Sequence, residues 1–138
     1  MDKKKKKKEK IVQAVKNIPT IADQEQWVLT LDKEEGTLFY SPEIIPDNAE
    51  LHQVTDEYAL YTDTNFKPLG VMVECYNANF VKHHDLFEKL SKDIFGGNEK
   101  IKTLSPEKSK ERKKDIIFLK SLLERTLIVE ADTKLIPA

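Results

Sequence analysis

Trp27-Val28-Leu29-Thr30-Leu31-Asp32-Lys33-Glu34-Glu35-Gly36-Thr37-Leu38-Phe39-Tyr40 is the stretch on which the fold turns. Its apolar residues recur at every second position, with Trp27, Leu29 and Leu31 in the first run and Leu38 and Tyr40 in the second. That is the period of a half-buried β-strand, since successive side chains on a strand point to opposite faces. Polar Asp32 to Glu35 separate the runs, and Gly36 stands at the end of the turn, where a short hairpin loop calls for a left-handed residue. The stretch therefore predicts a β-hairpin.

Toward the C-terminus, Pro42, Pro46 and Asp47-Asn48 break the alternation, and Leu51 to Val54 offers a short third strand. Tyr58-Ala59-Leu60-Tyr61 is apolar on both faces, as a central strand would be, and the turn-rich Thr62 to Gly70 leads into Val71-Met72-Val73-Glu74-Cys75-Tyr76, a second hairpin. Asn77 or Asn79 is placed to cap a helix over about 79–95, in which Phe80, Phe87, Leu90 and Ile94 recur at helical spacing before Gly96-Gly97 stops it. Asn98 to Thr103 reads as linker. Ser105-Pro106 then opens a helix over about 106–125, charged from Glu107 to Asp115 and apolar at Ile116, Phe118, Leu119, Leu122 and Leu123, an arc wider than an ordinary surface helix presents. Leu127-Ile128-Val129 either continues this helix or adds an edge strand.

Toward the N-terminus, Ile11, Val12, Ala14, Val15 and Ile18 form a short helical stripe that Pro19 is expected to terminate. Lys3 to Lys8 is a six-lysine run that repels itself, so residues 1–10 are expected to be a basic, disordered tail. The predicted architecture is α+β: a small antiparallel β-meander of four to five strands over 27–76, an N-terminal helix and two C-terminal helices, in one domain over 11–138.

The chain has 138 residues, a length at which roughly two-thirds of the unfolded surface is buried in one core. Cys75 is its single cysteine, which leaves neither a disulfide framework nor a cluster of zinc-binding thiolates. Its longest apolar runs fall far short of the ~20 residues that span a bilayer, so a cytoplasmic chain with no membrane partner is expected. The formal net charge of −1 conceals a segregation. Residues 1–16 carry +6, residues 17–81 carry twelve acids against Lys33 and Lys67 for −10, residues 82–114 carry +4 and residues 115–138 carry −1.

The stretch Leu31 to Tyr40, followed by Tyr58 to Asp63 and by Pro68-Leu69-Gly70-Val71-Met72-Val73-Glu74, resembles the small prokaryotic family called domain of unknown function 2283. The likeness covers roughly residues 27–79. It departs from the family at Gly36, where a second aspartate is usual, and over Ser41 to Asp56. The resemblance implies a compact antiparallel meander without established catalysis, in a family thought to accompany toxin-like proteins as partner or antitoxin. It brings no catalytic residues.

Cys75 with His52, His83 or His84 would be the one route to a thiol enzyme, but its place in an apolar strand argues for a core thiol. His83-His84 are adjacent, so on a helix they point about 100° apart, whereas helical metal pairs use i, i+4 spacing. Both read as boundary histidines. No catalytic residue, metal ligand or cofactor site is assigned, and the chain reads as a non-enzyme. Two partner classes remain. A protein-interaction or regulatory module would offer the acidic segment to a basic partner, with Phe118, Leu119 and Leu122 as a candidate interface for a partner or for self-association. A nucleic-acid-associated protein would neutralise phosphates through Lys3, Lys4, Lys5, Lys6, Lys7 and Lys8 and through Lys110, Arg112, Lys113 and Lys114.

Overall fold

The computed structural model describes residues 3–74, 76, 80–95, 100–104 and 113–135. Six strands, β1 (Val28–Asp32), β2 (Thr37–Ser41), β3 (Glu50–Gln53), β4 (Tyr58–Thr62), β5 (Pro68–Val73) and β6 (Ile101–Leu104), form one antiparallel sheet. The helices are α1 (Lys3–Gln24), the single turn α2 (Val81–His83), α3 (Asp85–Phe95) and α4 (Lys113–Thr133). The α+β class holds, with six strands rather than four to five.

The decisive hairpin forms as its alternation requires. Leu29 faces Tyr40 and Leu31 faces Leu38 across β1 and β2. Asp32 organises the turn, its Oδ1 accepting from the backbone N–H groups of Glu34 and Glu35 at 3.1 Å each, while Gly36 takes φ +72°. From there the order is β3-β4-β5-β2-β1-β6, not a sequential meander. The hairpin β1-β2 sits beside a three-strand meander β3-β4-β5, because the segment after β2 carries the chain to the far edge before it returns to pair β5 with β2. The sixth strand lies in the stretch expected to be linker. Ile101 to Leu104 completes the sheet beside β1, with Leu29 opposite Leu104. Only Leu104 of that strand is buried, so alternation there is too faint to read.

One face of the sheet lies under α1 and α4. Leu29, Leu31, Leu38, Tyr40, Tyr58, Leu60, Val71 and Val73 point that way and join Val15, Ile18, Leu119, Leu123 and Leu127 in a single core. Burying each such side chain contributes about 1.5–3 kcal/mol. Two tyrosines tie α4 to the sheet: Tyr40 donates to Glu124 at 2.6 Å and Tyr58 donates to the carbonyl of Leu127 at 2.8 Å.

Two expectations about α1 are corrected. The helix begins at Lys3, taking in most of the segment expected to be a disordered tail, and it runs through Pro19 to Gln24. Proline removes one hydrogen bond but does not end the helix, because Ile18, Ala22 and, partly, Ile21 on either side are packed into the core. The true stop is Gln26 at φ +53°, which lets the N–H of Trp27 reach back to the carbonyl of Ala22 at 2.9 Å, the long bond of a Schellman cap. The helix expected over about 79–95 is broken at His84, between α2 and α3. Asn77, Asn79, Gly96-Gly97 and Ser105-Pro106 lie outside the described residues. Helix α4 continues through Leu127-Ile128-Val129 to Thr133, well beyond Arg125.

The opposite face of the sheet carries no helix among the described residues. A row of side chains, Thr103, Thr30, Phe39, Met72, Ala59 and Gln53, crosses it from β6 to β3 in continuous register. Beside that row Ile45, from the segment between β2 and β3, approaches Gly70, where a Cβ would stand 3.2 Å from Ile45 Cδ1 and 2.8 Å from Ser41 Cβ.

Candidate functional site

Beneath the edge of the helical layer, three segments deliver one ionisable side chain each to a common point. The first is the turn between β3 and β4. Val54 and Thr55 donate their N–H groups to the carbonyl of Tyr58, and Thr55 Oγ1 accepts from the N–H of Glu57 at 3.1 Å. Tyr58 is wholly buried at the start of β4, so the residue before it is drawn inward and Glu57 is buried too. The second is the joint between α2 and α3, where His84 takes extended backbone angles of φ −137° and ψ 88°. Its ring lies 4.4 Å from that of Phe80 and 5.9 Å from that of Phe87. The third is α4. Ile116, Leu119, Leu123, Leu127 and Glu130 form its buried stripe, so Glu130 occupies a core position with 3% of its surface exposed.

The geometry is close. His84 Nε2 lies 3.1 Å from Glu57 Oε2 and 2.9 Å from Glu130 Oε2, and the three ligand atoms fall within 4.8 Å of one another. A neutral imidazole has one hydrogen, and Nε2 carries at most one. The aligned contact is with Glu57, which leaves Glu130 Oε2 buried without a hydrogen-bond partner despite its nearness to the ring. Glu130 Oε1 is held only by a long bond from Thr55 Oγ1, 3.4 Å. Burial, reinforced by the charge of Glu57, pushes the Glu130 carboxyl above the usual glutamate range, against the pull of His84 and Lys134. The cluster thus carries two carboxylates, one imidazole and one unsatisfied oxygen in an apolar setting walled by Phe80 and Phe87, a donor set that suits a proton or a cation.

A second polar constellation lies in the cleft between the C-terminal half of α1 and α4. Glu124 accepts from Tyr40, and Lys120 donates to the carbonyl of Trp27 at 2.7 Å while its Nζ stands 5.7 Å from the centre of the Tyr40 ring. Tyr40, Glu124 and Lys120 each have a partner, so they read as a bracket between helix and sheet.

The residues singled out from sequence are dispersed. Lys6 and Lys7 are exposed and Lys8 is half-buried on the first turns of α1, and Lys3 to Lys5 precede them on the same helix. Lys113 and Lys114 are exposed at the start of α4, while Lys110 and Arg112 lie outside the described residues. Lys16 pairs with Asp132, and Lys113 lines the cleft beside Gln24, so α1 and α4 run antiparallel. Lys6 to Lys8 and Lys113-Lys114 therefore sit toward opposite ends of the helix pair, about 24 Å apart by the 1.5 Å rise over residues 8 to 24. Of the candidate interface residues, Leu119 is wholly buried in the core and Leu122 packs against it, which leaves Phe118, 53% exposed, on the outer side. Cys75 lies outside the described residues, as does the side chain of His83. His52 stands outside the group around His84, bonded to Thr62 Oγ1 at 2.9 Å and stacked on Phe66.

Glu57 and Glu130 had no place in the sequence reading. Glu57 follows Asp56 in a polar turn and looks solvated. Glu130 did leave a signal, a charge in register with Ile116, Leu119, Leu123 and Leu127, but it falls beyond the point at which the helix was expected to end. Comparison with known proteins gives no matching family model, no matching curated protein and no matching solved structure, so the fold and the site rest on this chain's own residues.

Proposed function

We propose that this chain is a non-catalytic protein-interaction module that receives a basic protein on the sheet face opposite α1 and α4. The observation that carries the reading is the row Thr103, Thr30, Phe39, Met72, Ala59 and Gln53, in which Phe39 and Met72 are half-buried and Ala59 is wholly buried, with no described helix over it. Leu51 and Ile101 extend the apolar surface to the two edge strands, 51% and 61% exposed. An antiparallel sheet with one solvated face ordinarily carries polar residues there. A contiguous apolar patch on such a face supports a contact surface.

The charge around the strip selects the partner's sign. Glu34, Glu35 and Glu74 are exposed at one end of the sheet and Glu43, Asp47 and Glu50 toward the other, within a segment whose formal charge is −10. Complementary charge steers encounter and disfavours acidic competitors. The likeness of residues 27–79 to the family named above supports a partner-binding, antitoxin-like role.

The test is affinity capture of the tagged chain at native expression, run beside a Met72→Lys variant at physiological salt. The reading expects a basic protein retained by the wild type and lost from the variant. Equal retention by both, or retention of nucleic acid in its place, refutes it.

A further inference from the structure

We propose that Glu57, His84 and Glu130 form a binding site for one divalent transition-metal ion, with Zn2+ as the defining probe. The donor atoms are His84 Nε2, Glu57 Oε2 and Glu130 Oε2, brought from the β3–β4 turn, the α2–α3 joint and the last turns of α4. Metal–nitrogen and metal–oxygen bonds of about 2.0–2.2 Å set neighbouring ligand atoms about 2.8–3.1 Å apart in octahedral sites and about 3.3–3.6 Å apart in tetrahedral ones. The separations of 2.9 and 3.1 Å from Nε2 to the two oxygens fall on that scale.

With both carboxyl groups ionised, hydrogen bonding alone leaves the cluster incomplete. If Nε2 bears a hydrogen, one carboxylate receives it and Glu130 Oε2 stays unpartnered although it is buried. If Nε2 bears none, its lone pair faces two carboxylate oxygens. A divalent cation removes both difficulties, because it accepts the imidazole lone pair and both oxygens together and cancels the two carboxylate charges. Nitrogen and oxygen donors without sulfur suit Zn2+, Co2+, Mn2+ and Fe2+ better than Cu+. The rings of Phe80 and Phe87 against His84 supply the apolar shell that strengthens such a site, while His84 is 20% exposed at its side chain, so an ion and a solvent ligand have a route in. Because the ligands come from three segments, the ion fastens α4 and the α2–α3 joint to the sheet, and its binding adds to the stability of the fold.

The experiment uses the full chain, stripped with chelator, dialysed and titrated with zinc sulfate by calorimetry, with metal content and thermal midpoint read in parallel. One ion per chain is expected, with the midpoint rising by roughly 5–10 °C at a hundredfold excess over Kd. Glu130→Gln and His84→Gln should abolish uptake and the thermal shift, whereas His52→Gln and Glu124→Gln should retain both. Co2+ loaded into the wild type guards against variants that fail to fold: visible absorption of a nitrogen- and oxygen-ligated ion, displaced by Zn2+, supports the site. Absence of saturable uptake by the wild type, uptake that survives Glu130→Gln, or uptake lost with His52→Gln overturns it.

Discussion

Tyr40 of β2 donates its hydroxyl hydrogen to Glu124 of α4 across 2.6 Å, joining two residues 84 positions apart in the chain. The Tyr40 ring is wholly buried and meets Trp27 edge to face at 5.2 Å, so the bond is made from inside the core toward the cleft. Burial holds the Tyr40 phenol protonated far above its ordinary range. Tyr40→Phe keeps the packing and deletes the bond. It should cost about 1.5–3 kcal/mol by urea denaturation, the range for a hydrogen bond to a charged group.

The same pair carries a pH dependence. Burial raises the Glu124 carboxyl above the usual glutamate value, and the hydrogen bond from Tyr40 and the charge of Lys120 only partly oppose it. The folded chain therefore keeps this proton to higher pH than the unfolded chain does. The associated stability is complete below the unfolded value and is lost as pH rises through the folded one. Glu124→Gln cannot titrate, so the stability of the wild type relative to this variant should fall as pH rises above the usual glutamate value. A flat difference across denaturation curves above that value would contradict the assignment.

Helix α4 presents adjacent residues to opposite fates. Leu119 is wholly buried and Phe118 is 53% exposed. Leu119→Ala should cost about 2–5 kcal/mol, whereas Phe118→Ser should stay within about 0.5 kcal/mol. If Phe118, with Ile117 beside it at 46% exposure, mediates self-association, Phe118→Ser will shift sedimentation toward monomer without loss of folding.

Gly70 has no room for a side chain. An added Cβ would meet Ser41 Cβ at 2.8 Å, backed by Ile45 Cδ1 at 3.2 Å. Gly70→Ala should destabilise by about 1–3 kcal/mol in a thermal melt, and the double variant with Ser41→Gly should recover part of the loss.

Gln26 closes α1 in the left-handed region at φ +53°, a conformation that costs a side-chain-bearing residue about 1–2 kcal/mol and glycine almost nothing. Gln26→Gly should therefore stabilise the fold, by about 0.5–1 kcal/mol after the greater chain entropy of glycine is counted. Loss of stability on denaturation would show that the Gln26 side chain has a packing role.

What the sequence reveals follows from which physics is local. Alternation from Trp27 to Tyr40 exposes the first hairpin, and the spacing of Phe80, Phe87 and Ile94 exposes the buried side of the helical segment around them, because each pattern is set by one element against one core. The strand order β3-β4-β5-β2-β1-β6 is not local. It depends on where the segment after Ser41 carries the chain, and no periodicity encodes that. Pro19 misleads for a related reason, since packing of Ile18 and Ala22 outweighs the bond that proline removes. The cluster of Glu57, His84 and Glu130 joins positions 27 and 46 residues apart, so only Glu130 was legible in principle, as a charge within an apolar stripe.

The proposed function requires the sheet face around Met72 to be open to a partner. Met72 is one of two methionines, and its methyl group gives an isolated NMR signal. With a soluble paramagnetic agent added to the free chain, the Met72 methyl should broaden strongly and the Leu60 methyls on the helix-covered face little, with the Met72 signal protected once a captured partner is bound. A Met72 methyl as sheltered as those of Leu60 in the free chain, or unchanged by the partner, would contradict it.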